Sequence, residues 1–248
     1  MVQEKQNFGL IGKNISYSFS KKYFLQKFID LNLATTHTYQ NFDLENLKGF
    51  KKLIESNKIK GLNVTIPYKE KIINLLDEID NDAKKIGAVN TIKIDSKYKL
   101  IGYNTDYIGF INSIPFNLRK NIKKALVLGS GGASKAITYG LKKLKIEPII
   151  VSRKKTQNYI SYENINKNIL MNTQMIINCS PIGTFPKINQ SPKIPYEHIN
   201  QKHTCYDLVY NPNESLFLKN SKKNNAKIIN GLKMLKIQAE ESWKIWKS

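Results

Sequence analysis

The sequence predicts an α/β protein made of two α/β domains in succession. Two observations carry this. Short apolar runs of strand length alternate with amphipathic stretches of helical length along the chain, which is the pattern of βαβ units feeding a parallel sheet. The alternation pauses at the polar stretch PFNLRKNIKK and restarts on a second apolar run followed by a glycine-rich turn. At 248 residues the chain can bury two cores of modest size.

Taken in order, NFGLIG (7–12) reads as a strand, SKKYFLQKFIDLNL (20–33) as a helix and THTYQNFDL (36–44) as a strand. LENLKGFKKLIESN (44–57) reads as a helix, GLNVTIP (61–67) as a strand and KEKIINLLDEI (69–79) as a helix. AVNTIKI (88–94) and KLIGYNTD (99–106), separated by DSKY, make a hairpin that adds antiparallel strands and closes the first domain. A linking helix follows from Asp106 to about Ile114. ALVLGSGGAS (125–134) then gives a strand and turn, KAITYGLKKLK a helix, and PIIVSR (148–153), MIINCS (175–180) and TCYDLVY (204–210) three further strands. KIIN (227–230) ends the series, and GLKMLKIQAEESWKIW (231–246) is a final amphipathic helix. The expected boundaries are 1–105, 106–230 and 231–248.

Composition removes several function classes. Hydrophobic content of 41% with 24% charged residues is ordinary for a globular protein. No apolar run approaches the ~18 residues of a membrane helix, and the N-terminal MVQEKQNFGLIG has neither the h-region nor the cleavage site of a leader, so a cytoplasmic location without membrane contact is expected. The formal charge of +21 invites a nucleic-acid reading. Only Arg119 and Arg153 are arginines, however, and the lysines are scattered as KK and KxK pairs over nearly every helix and turn. Base readout favours arginine, so no specific nucleic-acid partner is expected. Cys179 and Cys205 lie singly in strand-like runs, and His37, His198 and His203 form no metal-ligand spacing. No metal is expected.

Six stretches carry chemistry. GSGGAS puts Gly129, Gly131 and Ser134 at the fingerprint positions of a dinucleotide turn, between a strand and a helix whose N-terminus offers donors to phosphate; an ordinary tight turn is the competing reading. About 20 residues on, where an NAD site presents a carboxylate to the ribose, the strand ends in VSRKK, with Ser152, Arg153 and Lys154 suited to a 2′-phosphate or to a solvated turn. In NVTIPYKE, Asn63 and Thr65 share one strand face, Pro67 ends the ladder, and Lys69 opens the next helix against its dipole. GAVNT (87–91) and GYNTD (102–106) repeat the theme of amides, hydroxyls and a carboxylate at strand ends, where ligands gather in open α/β sheets. Near the start, ISYSFS offers Ser16, Ser18 and Ser20, of which Ser20 reads equally as a helix N-cap.

Together, SYSFS, NVTIPYKE, GAVNT, GYNTD, GSGGAS, NCSPIG, YDLVYNP and NGLKMLKIQ stand in the order found in the shikimate dehydrogenase family, which the chain resembles over nearly its whole length. The resemblance implies an N-terminal mixed-sheet substrate domain, a Rossmann-like NADP-binding domain and a C-terminal helix returning toward the N-terminal domain. It implies NADPH-dependent reduction of 3-dehydroshikimate to shikimate, on the route to chorismate and aromatic amino acids, by a monomer or homodimer; the alternative is a quinate/shikimate dehydrogenase using NAD. By the same resemblance Lys69 and Asp106 are the catalytic pair, Ser18 and Ser20 bind the substrate carboxylate, and Thr65, Asn90, Asp106, Tyr210 and Gln238 bind the ring. The cofactor positions are Gly129, Ser130, Gly131, Gly132, Ala133, Ser134, Ser152, Arg153, Lys154, Leu208, Gly231 and Met234. Three departures stand out. The interval from Arg153 to Asn178 is shorter than the family usually carries, which implies a missing helix or strand; Lys233 stands where a small residue is common, and Phe19 separates the two serines.

Overall fold

The computed structural model describes residues 5–16, 18–153 and 157–248. They divide into two compact units, Met1–Thr105 with Ala239–Ser248, and Asp106–Gln238.

The first unit contains β1 (Gln6–Gly12), α1 (Phe19–Asp30), β2 (His37–Asp43), α2 (Phe50–Ser56) and β3 (Ile59–Val64). A 3-10 turn at Lys71–Leu75, β4 (Glu78–Ile79), α3 (Asn81–Ile86), β5 (Thr91–Ile94) and β6 (Leu100–Tyr103) follow. Among the described residues the sheet has the order β2-β1-β3-β5-β6-β4. β1 pairs parallel with β2 and β3, whereas the expected hairpin β5/β6 is antiparallel and joins β3 antiparallel through Gly61 to Asn63. One apolar cluster, built on Ile11, Leu62, Val64, Ile72, Val89 and Ile92, covers one face. An aromatic cluster of Phe8, Phe24, Phe28, Tyr39, Trp243 and Trp246 covers the other.

Two helices differ from the sequence reading. The stretch 44–57 is helical only over Phe50–Ser56, because Gly49 takes a left-handed φ of 73° immediately before it. The stretch 69–79 has helical apolar spacing but forms a single 3-10 turn, and Leu76 is extended. The sheet edge decides this: Asp77 N–H donates to the Leu100 carbonyl at 3.0 Å, and the Asp77 carboxylate accepts from Leu100 N–H at 2.8 Å. These pairings outcompete a weak local preference.

The second unit contains α4 (Asp106–Ser113), α5 (Phe116–Arg119), β7 (Lys124–Leu128), α6 (Gly132–Lys143), β8 (Glu147–Val151) and α7 (Lys167–Met171). It continues with β9 (Met175–Asn178), β10 (Thr204–Asp207), α8 (Leu216–Lys223), β11 (Lys227–Ile229) and the start of α9 (Leu232–Lys247), whose residues from Ala239 onward belong to the first unit. The sheet is all parallel, in the order β11-β10-β9-β7-β8, with apolar clusters on both faces. Both faces are covered, so its strands read as continuous apolar runs.

A six-stranded dinucleotide sheet would place one more strand outside β8. Among the described residues β8 is the edge, and the chain returns to it by the parallel bridge of Val151 to Ile160, with Ser152 N–H on the Ile160 carbonyl at 2.9 Å and Ile160 N–H on the Ile150 carbonyl at 3.0 Å. No helix among the described residues is long and apolar enough to cross a membrane.

Candidate functional site

Topology alone selects one sheet edge in each unit. In the first unit the chain leaves β1 to β2 on one side, and β3 comes back on the other. A crevice therefore opens outside the carboxyl ends of β1 and β3. The two ends are tied there by Thr65 N–H on the Ile11 carbonyl at 2.9 Å and Lys13 N–H on the Ile66 carbonyl at 3.1 Å. The segments leaving these ends are ISYSFS and TIPYKE.

After β1, Ser18 is the N-cap of α1 and its hydroxyl accepts from Ser20 N–H at 3.3 Å. Ser20 is therefore not the cap. It lies in the first helical turn, buried. After β3, Thr65 is half-buried and Tyr68 is buried, its hydroxyl donating to the Leu44 carbonyl. Lys69 follows this anchor, and its own carbonyl accepts from Val89 N–H at 2.8 Å. Lys69 thus sits in a turn ahead of the 3-10 segment rather than opening a helix, and the helix-dipole cost expected of it does not arise.

The strand-end amides are buried and mutually bonded. Asn90, 2% exposed, accepts from Thr105 N–H at 2.7 Å and donates to the Thr105 hydroxyl at 2.9 Å. Asn63, 4% exposed, accepts from the Tyr39 hydroxyl at 2.7 Å and donates to Ser242 at 3.0 Å. Burial pushes the Tyr39 phenol far above its ordinary pKa, so it remains a donor. Sequence reasoning found Asn90 but not Tyr39 or Ser242, each of which is separated from its partners by long stretches of chain.

In the second unit β7 lies between β8 and β9, and the crevice opens after Leu128. Gly129 has φ +122°, a backbone region closed to most side chains. A Cβ placed on Gly131 would meet nothing within 4 Å, so open space stands directly at the N-terminus of the 12-residue α6, formed by Gly132, Ala133 and Ser134. That is a cradle suited to a pyrophosphate. The Ser134 hydroxyl donates to the Gly131 carbonyl at 2.7 Å, and Ser130 is bonded to Ser152 at 2.9 Å, which ties the glycine-rich turn to the end of β8. Arg153 is exposed immediately beyond; Lys154 lies outside the described residues.

Across the same edge, Asp207 at the end of β10 is fully buried. Its carboxylate accepts from Asn178 Nδ2 and Val209 N–H, each at 3.0 Å, and from the hydroxyl of Ser215, the N-cap of α8. Burial pushes the Asp207 carboxyl up to about 6, with those hydrogen bonds opposing the rise. Leu208 and Tyr210 follow, and Leu208 N–H donates to the Asn178 carbonyl at 3.0 Å. A Cβ on Gly231 would stand 2.2 Å from the Leu208 carbonyl oxygen, so this approach admits only glycine. Met234 is buried in the core of the unit. Gln238 is 8% exposed and donates to the Leu235 carbonyl at 2.9 Å. Asp106, 5% exposed, is the first residue of α4. Among the described residues no group of three or more His, Cys, Asp or Glu side chains is placed to hold a metal ion.

Residues 10–92 match the family model for the shikimate dehydrogenase substrate binding domain. A relative from Clostridium botulinum, named shikimate dehydrogenase (NADP(+)), is 42% identical over 247 residues, covering 96% of this chain and 95% of its own. The chain belongs to the shikimate dehydrogenase family. The solved shikimate dehydrogenase of Aquifex aeolicus superposes with a TM-score of 0.86 at 35% identity, covering 98% of this chain and 92% of its own. That of Thermus thermophilus, in complex with NADP(H) and shikimate, superposes with a TM-score of 0.84 at 27% identity, covering 97% and 93%. The Rossmann-like second unit and mixed-sheet first unit are thus features of the family.

Proposed function

We propose that the protein is a shikimate dehydrogenase that reversibly reduces 3-dehydroshikimate to shikimate with NADPH, in the pathway to chorismate and aromatic amino acids. The observation that carries this reading is likeness over nearly the full chain to a relative named for that activity. The open cradle at Gly131 supports a dinucleotide at the α6 N-terminus, held by the turn from Gly129 to Ser134. In this reading residues 1–105 form the substrate-binding domain, 106–230 the cofactor-binding domain, and 231–248 the C-terminal helix.

Bound NADPH supplies the hydride that reduces the C3 carbonyl. The chain's own residues do the rest. Ser18 and Ser20 hold the carboxylate, and Thr65, Asn90, Tyr210 and Gln238 hold the ring hydroxyls. Lys69 donates a proton to the C3 oxygen as negative charge develops there, and Asp106 orients it. In the oxidative direction Lys69 takes the proton back, as microscopic reversibility requires. Arg153 and Lys154 bind the 2′-phosphate, Arg153 as a planar fork. Ser152, Leu208, Gly231 and Met234 complete the cofactor positions. The enzyme works in the cytoplasm as a monomer or homodimer.

The test is to follow absorbance of reduced nicotinamide cofactor while shikimate or quinate is offered with NADP or NAD. Turnover with shikimate and NADP is the expected result. Preference for quinate and NAD would establish the quinate/shikimate alternative, and no turnover with any pair would refute the dehydrogenase.

A further inference from the structure

The C-terminal helix carries one residue out of keeping with its surroundings. The face of α9 that packs in the first unit presents Ala239, Trp243 and Trp246 to the aromatic cluster. Ser242 lies beside them with no exposure. Alanine would favour both the helix and the apolar environment. A hydroxyl withdrawn from water here is disfavoured unless it is fully bonded.

It is bonded to three side chains from three different segments. Asn63 on β3 donates to it at 3.0 Å, Thr91 on β5 lies at 2.7 Å, and Thr105, just beyond β6, lies at 3.2 Å. A serine hydroxyl has one proton and two acceptor sites. Asn63 occupies one acceptor site. Thr91 gives its own proton to Asn90 Oδ1 at 3.2 Å, so Ser242 donates to Thr91, over the shorter distance, and the Thr105 hydroxyl lies against its remaining side while reaching Asn90 Oδ1 at 3.3 Å. The orientation of Asn90 is set by Thr105 N–H, which can only donate, and both ends of its amide are framed by the hydroxyls that Ser242 touches: the Thr91 hydroxyl on its oxygen and the Thr105 hydroxyl on its Nδ2. Asn63 has its oxygen on Tyr39 and its amide nitrogen on Ser242.

We propose that Ser242 is a positioning residue: from behind the sheet it holds the hydroxyls of Thr91 and Thr105, which engage the two ends of the Asn90 amide, and so keeps that amide in place toward the substrate's hydroxyls. Tyr39 supports the same cluster through Asn63, which donates to Ser242. This rests on the dehydrogenase reading and deepens it. The substrate pattern is a polyhydroxylated ring acid, and a site built to hydrogen-bond hydroxyls loses recognition when its own polar groups are not held.

The test compares S242A, S242T and Y39F with wild type in steady-state kinetics, varying shikimate and NADP separately. S242A is expected to raise KM for shikimate about tenfold, the factor one buried hydrogen bond carries, with KM for NADP within about twofold and kcat falling less than KM rises. S242T, which keeps the hydroxyl, recovers most of the loss, and Y39F raises KM for shikimate in the same direction. If S242A does not fold, Y39F decides by the same criterion. Wild-type turnover with KM for shikimate unchanged in the variants, or with both KM values rising together, overturns the positioning role and leaves the dehydrogenase standing. Absence of turnover in wild type refutes the dehydrogenase reading and the proposal with it.

Discussion

Replacing Asp207 by Asn should remove a slope from the pH dependence of the second unit's stability. The carboxyl is pushed up to about 6 by burial, from an ordinary value near 3.9. A raised carboxyl pKa means that the folded state holds its proton longer than the unfolded chain does. Its contribution to stability is fully present below about pH 4 and is lost as pH rises through about 6. Above that, the ionised group costs the fold roughly 3 kcal/mol.

Asparagine keeps only part of this bonding. Its oxygen accepts from Asn178 Nδ2 and Val209 N–H, and its Nδ2 donates to the Ser215 hydroxyl, which still accepts from Leu218 N–H at 3.4 Å. The buried Ser215 proton, which Asp207 accepts in the wild type, and the second amide hydrogen are left without an acceptor, so the gain is offset by about 3 kcal/mol. The net expectation is a stability close to that of wild type at pH 8 and ~3 kcal/mol lower near pH 4. Both tryptophans lie in the first unit, so urea unfolding should be read by hydrogen exchange on the peptides carrying β9 and β10. A difference between variant and wild type that is constant across pH would refute the reasoning.

Lys69→Ala should lower kcat by on the order of 100-fold or more while KM for shikimate changes little, since a proton donor acts mainly in the transition state; full turnover with lost affinity would make Lys69 a binding residue. Arg153→Ala should weaken NADP by about 1.5 to 3 kcal/mol and NAD far less, measured by cofactor titration, because the charge-assisted contact exists only where the phosphate does. Equal weakening would show that the return after β8 is a solvated turn. His37, buried among Phe8, Phe28 and Trp243 with no hydrogen-bond partner for Nε2, has its pKa lowered first by burial and then by Lys247. Its contribution is present above about 6.5 and lost as pH falls below that. Thermal melts of His37→Phe should accordingly show a shallower loss of stability between about pH 7 and about pH 5 than wild type.

Much of the candidate site was legible because its signals are local. A strand followed within a few residues by Pro, Tyr and Lys, an amide and threonine at a strand end, and a glycine-rich turn before a helix each state their geometry in one short segment. The Lys69 backbone is held by its neighbour Tyr68 and by Val89, and the Gly129 turn follows directly from β7. The hairpin β5/β6 and the strands β7 to β11 followed from hydrophobic period alone, whereas α3, α7 and α8 are too short to show it. The tertiary structure decided what depends on partners far along the chain. The helical spacing of 69–79 lost to the sheet edge offered by Leu100, and Ser18 rather than Ser20 caps α1. Ser242 in the sequence is one polar residue in an amphipathic helix, and Asp207 one acid among nineteen acidic residues. Only burial makes them consequential, because the cost of withdrawing a hydroxyl or carboxyl from water is set by the groups that surround it in the fold.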